Sequence, residues 1–377
     1  EERVNEGWDP AAWAEMFAQA GAKYVVLVTK HHDGYTLWPS DVANPNRDNW
    51  GSARDMVGDL AAAVRARGMR FGTYYSTGLD WSFEMYTDGD RIRDIMRSAP
   101  SSQAYADYVY DHMVELIDRY QPDVLWADIG YPSKGRQGEL FEYYFAEVPD
   151  GVVNDRWGAV DVLGQIASIP GATWVMKKLG QLMLSNQADE MVDDPARPGF
   201  KTAEHDSFSG IPPFKWEATR GLGGSFAFNT QETADDMLSG AELVDYVVDT
   251  VAKNGNVLIN VGPDSYGHIP LIQQAPLRAL GDWMAVNGEA IYGTRPWQRY
   301  NNERGRALRY TLSDNALYAI VIGDTARSFT VESPDINWQS IDVLGAEVVR
   351  TEEADGLLTL FVDRALPGPA VVVRYNL

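Results

Sequence analysis

The sequence predicts an α/β protein in which a (β/α)8-type TIM barrel precedes a small antiparallel β-sandwich. Up to about residue 295, short β-branched and aromatic runs alternate with amphipathic helical patterns, as in repeated β-α-β units. Several strand candidates, such as Tyr24 to Thr29 and Asp123 to Asp128, consist mainly of apolar residues, as expected of parallel strands that are covered on both faces. After Trp297 the pattern changes to short alternating runs, including ALRYTL and AVVVRYNL, separated by turn residues. We therefore expect the barrel over residues 1–296 and the sandwich over residues 297–377.

Helical patterns separate the candidate barrel strands. One pattern, ARDMVGDLAAAVRARG, ends in a glycine that suits a helix C-cap, and another, SSQAYADYVYDHMVELIDRY, begins with serines that suit an N-cap. A closed barrel of this type has eight strands, but the chain opens on a helical pattern over Pro10 to Ala20, so we expect the first strand to lie upstream of Glu1. The candidate strands are Tyr24 to Thr29, Arg70 to Ser76, Asp123 to Asp128, Val152 to Trp157, Phe200 to His205, Ser225 to Asn229 and Asn256 to Gly262.

One segment interrupts this alternation. About 40 residues, from roughly 158 to 199, separate NDRWG from GFKTAEHD, where a barrel ordinarily needs a short loop and one helix. We expect part of this segment to form the connecting helix. The rest is interpreted as an insertion over the face of the barrel that carries the site.

Composition excludes several classes of partner. The chain has 54 acidic residues against 32 basic ones, a net charge of -22, so its surface should repel nucleic acid and anionic lipid. No apolar run is long enough to span a bilayer. Without cysteine there is no disulfide, no thiolate zinc site and no thiol nucleophile. We therefore expect neither a nucleic-acid nor a membrane partner.

The candidate strands end in polar residues. In a parallel barrel the carboxyl ends of the strands converge on one pocket, so two carboxylates, an arginine, several histidines and aromatic residues should meet there. Such a set predicts a catalytic or sugar-binding pocket. The strand ends read KHHDG (30–34), YYS (74–76), LWAD (125–128), NDRW (154–157), KTAEHD (201–206), SFAFN (225–229) and NVGPD (260–264).

Two carboxylates stand out among these strand ends. Asp128 follows the apolar run VLWA, and Glu204 lies between Ala203 and His205. Carboxylates on two different strands can divide the work of glycoside cleavage, one as nucleophile and one as general acid and then base. Asp128 could instead cap a helix, and Glu204 could be half of a surface ion pair. Arg156 could hold a sugar oxygen or tune a carboxylate, or it could pair with the adjacent aspartate.

A metal site is the less favoured interpretation of the histidines. Adjacent residues of a strand point to opposite faces, so His31 and His32 can both face a pocket only if they lie just past the strand end. That geometry favours two separate ligand contacts over one chelating pair, and we expect no metal and no other cofactor. The stretch GLGGSF at 221–226 resembles a nucleotide-binding fingerprint, but we expect it to precede a strand instead of following one. A metal-dependent barrel hydrolase stays an alternative.

The chain resembles the α-L-fucosidases of glycoside hydrolase family 29 from about Gly7 to Trp297. The stretches that carry the resemblance are AGAKYVVLVTKHHDGYTLW, FGTYYSTGLDW, QPDVLWADIGYP, VVNDRWG, GFKTAEHD, KWEATRGLGGSFAFN, KNGNVLINVGPDSYGHIP and NGEAIYGTRPW. The resemblance implies a retaining exo-hydrolase that removes terminal α-L-fucose through a covalent fucosyl-enzyme. It also accounts for the missing strand, because members of that family carry a first strand ending in a His-Trp-Gly stretch upstream of the matching region.

Carried over to this sequence, the resemblance implies that Asp128 is the nucleophile and Glu204 the acid/base. The substrate would be a fucosylated oligosaccharide, glycoconjugate or fucan, with linkage preference influenced by the 158–199 segment. A periplasmic or secreted location is favoured by the same resemblance. The rival interpretation is a fucose-binding barrel that has lost turnover. The implied sugar-contacting residues are His31, His32, Tyr75, Trp126, Arg156 and Phe226.

Overall fold

The computed structural model describes residues 7–84, 98–159, 161, 199–301, 308–323, 327–366 and 368–377. The predicted insertion at about 158–199 lies almost entirely outside the described residues, so its effect on linkage preference stays a prediction. Two compact units are present. The first contains Asp9–Ala18 and Ala22–Thr202, and the second contains Gln19–Gly21 and Ala203–Leu377. The predicted division into residues 1–296 and 297–377 also stays a prediction.

The first unit is built from parallel strands joined by helices. Strands β1 to β5 pair with one another in chain order, and the short strand β4 is joined to β3 and to β5 by two residue pairs each. Side-chain caps begin two of the helices: Asp55 accepts from the Gly58 N–H, and Ser102, one of the predicted capping serines, accepts from the Tyr105 N–H. The helices are α1 (Pro10–Gln19), α2 (Met56–Arg65), α3 (Gln103–Tyr120) and α4 (Gln137–Glu147), and the strands are β1 (Tyr24–Lys30), β2 (Arg70–Ser76), β3 (Val124–Asp128), β4 (Val152–Asn154) and β5 (Gly199–Glu204).

The parallel pattern continues in the second unit. Strands β6 (Trp216–Gly221) and β7 (Gly255–Asn260) pair in parallel along their full length, and the seven strands follow chain order in the sheet. Two helices follow β6 and β7: α5 (Gly240–Ala252), which a Ser239–Glu242 capping box begins, and α6 (Leu271–Asn287). Short 3₁₀ helices lie at Ala234–Asp236 and Gly288–Ala290. Within the described ranges, no helix has both the length and the apolar character needed to cross a bilayer.

The prediction of a sixth strand at Ser225 to Asn229 is wrong. That segment is a loop, and the strand lies earlier, at Trp216–Gly221. The polar residues of WEATRG conceal it, although Glu217 is only 3% exposed. The stretch GLGGSF therefore follows a strand, contrary to our expectation. Its backbone nevertheless binds an internal carboxylate, because the Ser225 N–H donates to Glu232 Oε1 at 2.8 Å, where a fingerprint loop would present its amides to phosphate.

The C-terminal strands form the predicted antiparallel sandwich. One sheet has the order β12-β15-β10-β9-β8 and the other the order β11-β14-β13. Alternate residues of these strands are buried in one apolar core, for example Leu358, Leu360 and Val362, as the two-residue repeat requires. The strands are β8 (Arg295–Asn301), β9 (Leu308–Leu312), β10 (Ala316–Ile322), β11 (Ser328–Glu332), β12 (Ser340–Val343), β13 (Val348–Ala354), β14 (Leu357–Val362) and β15 (Ala370–Asn376).

Candidate active site

The register between β2 and β3 assembles the centre of the candidate site. Tyr74 is opposite Trp126, and Ser76 is opposite Asp128. Because side chains alternate along a strand, these four residues project from the same face near the carboxyl ends of the strands. The rings of Tyr74 and Trp126 stack with centroids 5.2 Å apart and planes inclined by 24°. An aromatic wall therefore stands beside the Asp128 carboxylate.

Asp128 is held by three donors. The Tyr74 hydroxyl donates to Oδ2 at 2.5 Å, Arg156 Nη1 donates to Oδ1 at 3.0 Å, and the Ile129 N–H donates to Oδ1 at 2.9 Å. The residue is 8% exposed, so the carboxylate has a fixed orientation with little access to water. The helix-cap alternative for Asp128 is wrong, because the following helix begins at Gln137 after Arg136.

The backbone after Asp128 is strained. Ile129 has φ +60°, in the left-handed region that β-branched residues rarely adopt. Its side chain packs against Leu79 and Ala99, which helps to keep the residue in this conformation. The same conformation aims the Ile129 N–H at Oδ1 of Asp128. Strain of this kind persists where surrounding packing fixes the backbone, and it is frequent at functional sites.

His31 and His32 lie just past β1, where both can reach the site. The His31 ring is stacked on Tyr74 at 5.9 Å, and the two imidazole centroids are 4.0 Å apart. Burial lowers the pKa of His31, and burial followed by the neighbouring His31 lowers the pKa of His32 to about 4. Both rings are therefore neutral at neutral pH. A neutral imidazole offers one donor and one acceptor, which suits a sugar hydroxyl.

The hydrogen bonds of Ser76 fix the tautomer of His32. The Ser76 hydroxyl donates to the carbonyl oxygen of Leu79 at 2.9 Å, and its oxygen lies 2.6 Å from His32 Nδ1. Since the hydroxyl proton is already donated, Nδ1 must carry the proton of the His32–Ser76 bond. Nε2 of His32 is consequently an acceptor. This assignment makes His32 a partner for a hydroxyl that donates.

A buried ion pair between Lys30 and Asp80 lies next to the two histidines. Lys30 Nζ lies 2.9 Å from Asp80 Oδ2, and both side chains are fully buried. A side chain at position 34 would collide with the Asp80 carboxylate, and Gly34 has φ +81°, which explains the glycine of KHHDG. The loop carrying Asp80 is also tied to the site, because the Trp81 N–H donates to the carbonyl of His32 at 2.7 Å.

Arg156 joins the nucleophile candidate to the next strand. Besides its ion pair with Asp128, its guanidinium lies over the Trp126 ring at 5.1 Å, and its Nε donates to Thr202 Oγ1 at 3.0 Å. The structure therefore favours the prediction that Arg156 tunes a carboxylate, with Asp128 as that carboxylate.

The structure corrects the choice of Tyr75 as a sugar contact. Tyr75 is fully buried, and its hydroxyl lies 2.8 Å from Nδ1 of His112, a residue of helix α3. Adjacent residues of β2 point to opposite faces, so Tyr75 faces the helix while Tyr74 faces Asp128. Tyr74, not Tyr75, is therefore the tyrosine of β2 that lies beside the Asp128 carboxylate.

Glu204 and Phe226 belong to the second unit. Glu204 is an exposed residue at the end of β5, and it is followed by His205, which has φ +52°. The His205 N–H donates to the carbonyl of Thr219 at 3.0 Å, and the His205 ring lies 5.1 Å from the ring of Phe226. Phe226 is half-buried and lies in a loop, not in the predicted strand. The roles assigned to Glu204 and Phe226 stay predictions.

The described part of the chain contains no group of three or more His, Asp or Glu side chains arranged to hold a metal ion. His112 is fully buried and lies within hydrogen-bond distance of Tyr75.

Comparison with known proteins decides the family. The sequence model for the family described as Alpha-L-fucosidase matches residues 4–289. The chain belongs to the α-L-fucosidase family. Tissue alpha-L-fucosidase of Rattus norvegicus is 31% identical over 318 residues, which are 82% of this chain and 61% of the rat protein. This family member thus spans less than two thirds of the length of that curated relative.

Solved structures confirm the fold class predicted for this fucosidase-family chain. The Thermotoga maritima alpha-fucosidase solved in complex with fucose is 35% identical and superposes with a TM-score of 0.76, covering 98% of this chain and 79% of the other. The same enzyme in complex with a mechanism-based inhibitor is 37% identical, with the same TM-score and the same coverage. The TIM barrel with a C-terminal β domain and the family resemblance are therefore both confirmed.

Tyr74 and Thr202 of this family member were not predicted from the sequence as site residues, and Asp155 was considered only as an alternative partner of Arg156. Tyr74 was overlooked because the pair YYS does not show which tyrosine faces the pocket, and only the register with β3 decides this. Asp155 and Thr202 contact Arg156 or each other, but an aspartate in a loop and a threonine in a strand have no distinctive pattern. Spacing from Asp128 along the paired strands is the signal that could have identified Tyr74.

Proposed function

We propose that this chain is a retaining exo-α-L-fucosidase that removes terminal α-L-fucose by double displacement. The observation that carries the proposal is the Asp128 carboxylate, fixed by Tyr74, Arg156 and the Ile129 N–H beside two neutral histidines. The complex of the Thermotoga maritima relative with fucose supports the substrate class.

Asp128 would attack the anomeric carbon of fucose and form the covalent intermediate. Its Oδ1 already accepts from Arg156 and from the Ile129 N–H, whereas Tyr74 is the one donor to Oδ2 among the described residues. Oδ2 therefore retains a lone pair, and we assign it as the attacking oxygen. The Tyr74 hydroxyl would keep that oxygen aligned with the sugar.

Sugar binding falls to the neighbouring side chains. His31 and His32 would exchange hydrogen bonds with fucose hydroxyls, with Nε2 of His32 as an acceptor. Trp126 and Tyr74 form the aromatic wall against an apolar face of the sugar. Phe226 is proposed from its sequence match to an aromatic residue that packs against the fucose methyl group.

Glu204 is proposed as the acid/base from its position in KTAEHD. It would protonate the leaving oxygen in the first step and remove a proton from water in the second. In a Glu204→Ala variant, fucosides with poor leaving groups should lose far more turnover than fucosides with good ones, because only poor leaving groups need the proton. Equal losses for both substrate types would contradict this role.

The deciding experiment replaces Asp128 with Gly. Hydrolysis of an aryl α-L-fucoside should fall by about 10³-fold or more, and added azide should restore part of it by attacking in place of the carboxylate. Asp150→Gly, which removes an exposed aspartate from a turn, serves as the matched control and should keep wild-type turnover. Proton NMR of the first product should show retained anomeric configuration.

Each other result has a defined meaning. Full activity of Asp128→Gly would contradict the nucleophile assignment, and an inverted product would contradict double displacement. A wild-type chain that binds fucose without hydrolysing any fucoside would support the non-catalytic alternative. Loss of turnover after exhaustive chelation would support the metal-dependent alternative.

Fucosylated oligosaccharides, glycoconjugates or fucans are the proposed substrates, and a periplasmic or secreted location is proposed from the family resemblance. A panel of fucosylated oligosaccharides of different linkages, assayed beside the aryl fucoside, would define the preferred substrate. Cell fractionation with an antibody against the chain would test the location.

A further inference from the structure

Arg156 is anchored on the side away from Asp128. Its Nη1 donates to Asp128 Oδ1 at 3.0 Å, while its Nε donates to Thr202 Oγ1 at 3.0 Å. Thr202 in turn lies 2.7 Å from Asp155 Oδ1 through the same hydroxyl oxygen. A continuous chain of hydrogen bonds thus runs from Asp155 through Thr202 and Arg156 to Asp128.

The chemistry of Asp155 sets the direction of this chain. An ionised carboxylate can only accept, so the Thr202 hydroxyl must donate its proton to Asp155. The lone pairs of the hydroxyl oxygen then face the Nε–H of Arg156, which donates to them. A guanidinium is planar and rigid, so fixing Nε also fixes the direction in which Nη1 points. Asp155 therefore acts on the orientation of the Arg156 guanidinium through the Thr202 hydroxyl.

Asp155 holds Thr202 by two hydrogen bonds. Its Oδ1 accepts both from the Thr202 hydroxyl and from the Thr202 N–H, at 2.7 and 3.0 Å, which ties the loop after β4 to strand β5. Burial raises the pKa of Asp155, and the two bonds from Thr202 and the charge of Arg156 oppose that rise. The Asp155 carboxylate thus depends on Thr202 for its hydrogen bonds, and Thr202 depends on Asp155 for its direction.

We propose that Asp155 and Thr202 are positioning residues that hold the Arg156 guanidinium against the nucleophile Asp128. This inference rests on the proposed function only for its effect on kcat. The series of hydrogen bonds from Asp155 to Asp128 is present whether or not the protein hydrolyses fucosides. We call the set Asp155, Thr202 and Arg156 the arginine relay.

Variants of Thr202 separate the hydroxyl from the shape of the side chain. Thr202→Val keeps the shape and removes the hydroxyl, so kcat for an aryl α-L-fucoside should fall about 10- to 100-fold with KM little changed, the effect of losing a hydrogen bond to a charged group. Thr202→Ser keeps the hydroxyl and should recover kcat to within about threefold of wild type. Thr330→Val, which removes a threonine hydroxyl bonded to Thr359 in the sandwich, is the matched control and should leave kcat unchanged.

A double-mutant cycle tests whether Thr202 acts through Arg156. In an Arg156→Lys background the Nε donor is gone, so adding Thr202→Val should lower kcat little further. Asp155→Asn should resemble Thr202→Val, because an amide can donate as well as accept and no longer fixes the direction of the hydroxyl. The arginine relay would be overturned if the fold losses in kcat of the two single variants multiplied in the double variant. It would also be overturned if Thr202→Ser lost as much kcat as Thr202→Val.

A second readout needs no turnover. With ¹⁵N-labelled arginine, the Nε–H signal of Arg156, assigned by its loss in Arg156→Lys, should exchange slowly with water in the wild type and in Thr202→Ser. The same signal should exchange rapidly in Thr202→Val and Asp155→Asn. A slow signal in Thr202→Val would overturn the relay even in an inactive chain. A chain that lacks fucosidase activity but shows the expected signals would contradict the proposed function alone.

Discussion

The two faces of strand β2 carry the same kinds of residue and do different things. On one face, Tyr74 donates to Asp128 and is stacked on His31. On the other face, Tyr75 is hydrogen-bonded to His112, and Lys30 Nζ lies over the Tyr75 ring at 4.5 Å. Each face thus combines a tyrosine with a histidine and with an acidic partner, Asp128 on one side and the Asp80 of the Lys30 ion pair on the other.

Burial distinguishes these two faces. Tyr75, His112, Lys30 and Asp80 are all fully buried, so their polar groups are bonded to one another or to nearby protein groups such as the Val42 carbonyl, and not to water. Tyr74 and His32 are half-buried, and His31 keeps part of its surface exposed while its ring is partly desolvated, so the groups on that face can accept a ligand. The role of a residue here therefore depends on the face of β2 on which it lies and not on its type. Variants of equivalent residues on the two faces can test this difference.

The largest effect on stability should come from the buried face. Lys30→Met would leave the Asp80 carboxylate fully buried without its counter-charge, and the free energy of unfolding should fall by about 3–5 kcal/mol. Urea unfolding followed by circular dichroism would measure it. The control is Arg70→Met, which breaks an ion pair with Asp123 in which the arginine side chain is 60% exposed and should cost no more than about 1 kcal/mol.

Similar losses for both variants would show that the Lys30–Asp80 pair stabilises no more than a surface pair does. In that case the loop that carries Trp81 would be held by its backbone bond to His32 and by packing, not by the buried charges.

Removing each hydroxyl of the tyrosine pair should give opposite results. Tyr74→Phe removes the donor to Asp128 Oδ2, so kcat/KM for an aryl α-L-fucoside should fall about 10- to 100-fold while stability changes little. Tyr75→Phe leaves Nδ1 of buried His112 without its donor, so it should lower the free energy of unfolding by about 1–3 kcal/mol and leave kcat/KM nearly unchanged. Steady-state kinetics and urea unfolding on both variants decide the matter, and an activity loss confined to Tyr75→Phe would reverse our assignment of the faces.

The sequence predicted the parts of the molecule that depend on local pattern. Strands β1, β2 and β3 were placed to within one residue, because each is an apolar run that ends at polar residues. Asp128 was identified for the same reason, since it follows the apolar run of β3 directly. Local pattern failed for β6, because Glu217 and Arg220 give this buried strand the polar character of a loop. The aromatic residues at 225–229 led to the opposite error, because they give a loop the character of a strand.

Features that depend on pairing between distant segments were beyond the sequence. The choice between Tyr74 and Tyr75 needs the register of β2 with β3, because a shift of one residue exchanges the two faces. The contact of Thr202 with Arg156 joins residues 46 positions apart, across a segment that the structure does not describe throughout. A threonine within a strand carries no sequence signal of such a partner, so the arginine relay is visible only in the folded structure.

The smallest effect concerns how the buried face responds to pH. His112 Nε2 lies 3.3 Å from the carbonyl of Val42, which can only accept, so Nε2 carries the proton and Nδ1 accepts from Tyr75. Burial lowers the pKa of His112 to about 3, whereas an unfolded histidine titrates near pH 6.5.

Between those pH values the unfolded chain binds one more proton at this position, so the folded state loses stability as the pH falls. His112→Gln removes the titration while keeping an amide that can donate to Val42. Urea unfolding at pH 7 and pH 5.5 should show that the wild type loses about 1 kcal/mol more than the variant over this interval. Equal losses of unfolding free energy in the wild type and the variant would mean that His112 is protonated in the folded protein as readily as in the unfolded one. The Tyr75 face of β2 would then be open to water, as the Tyr74 face is.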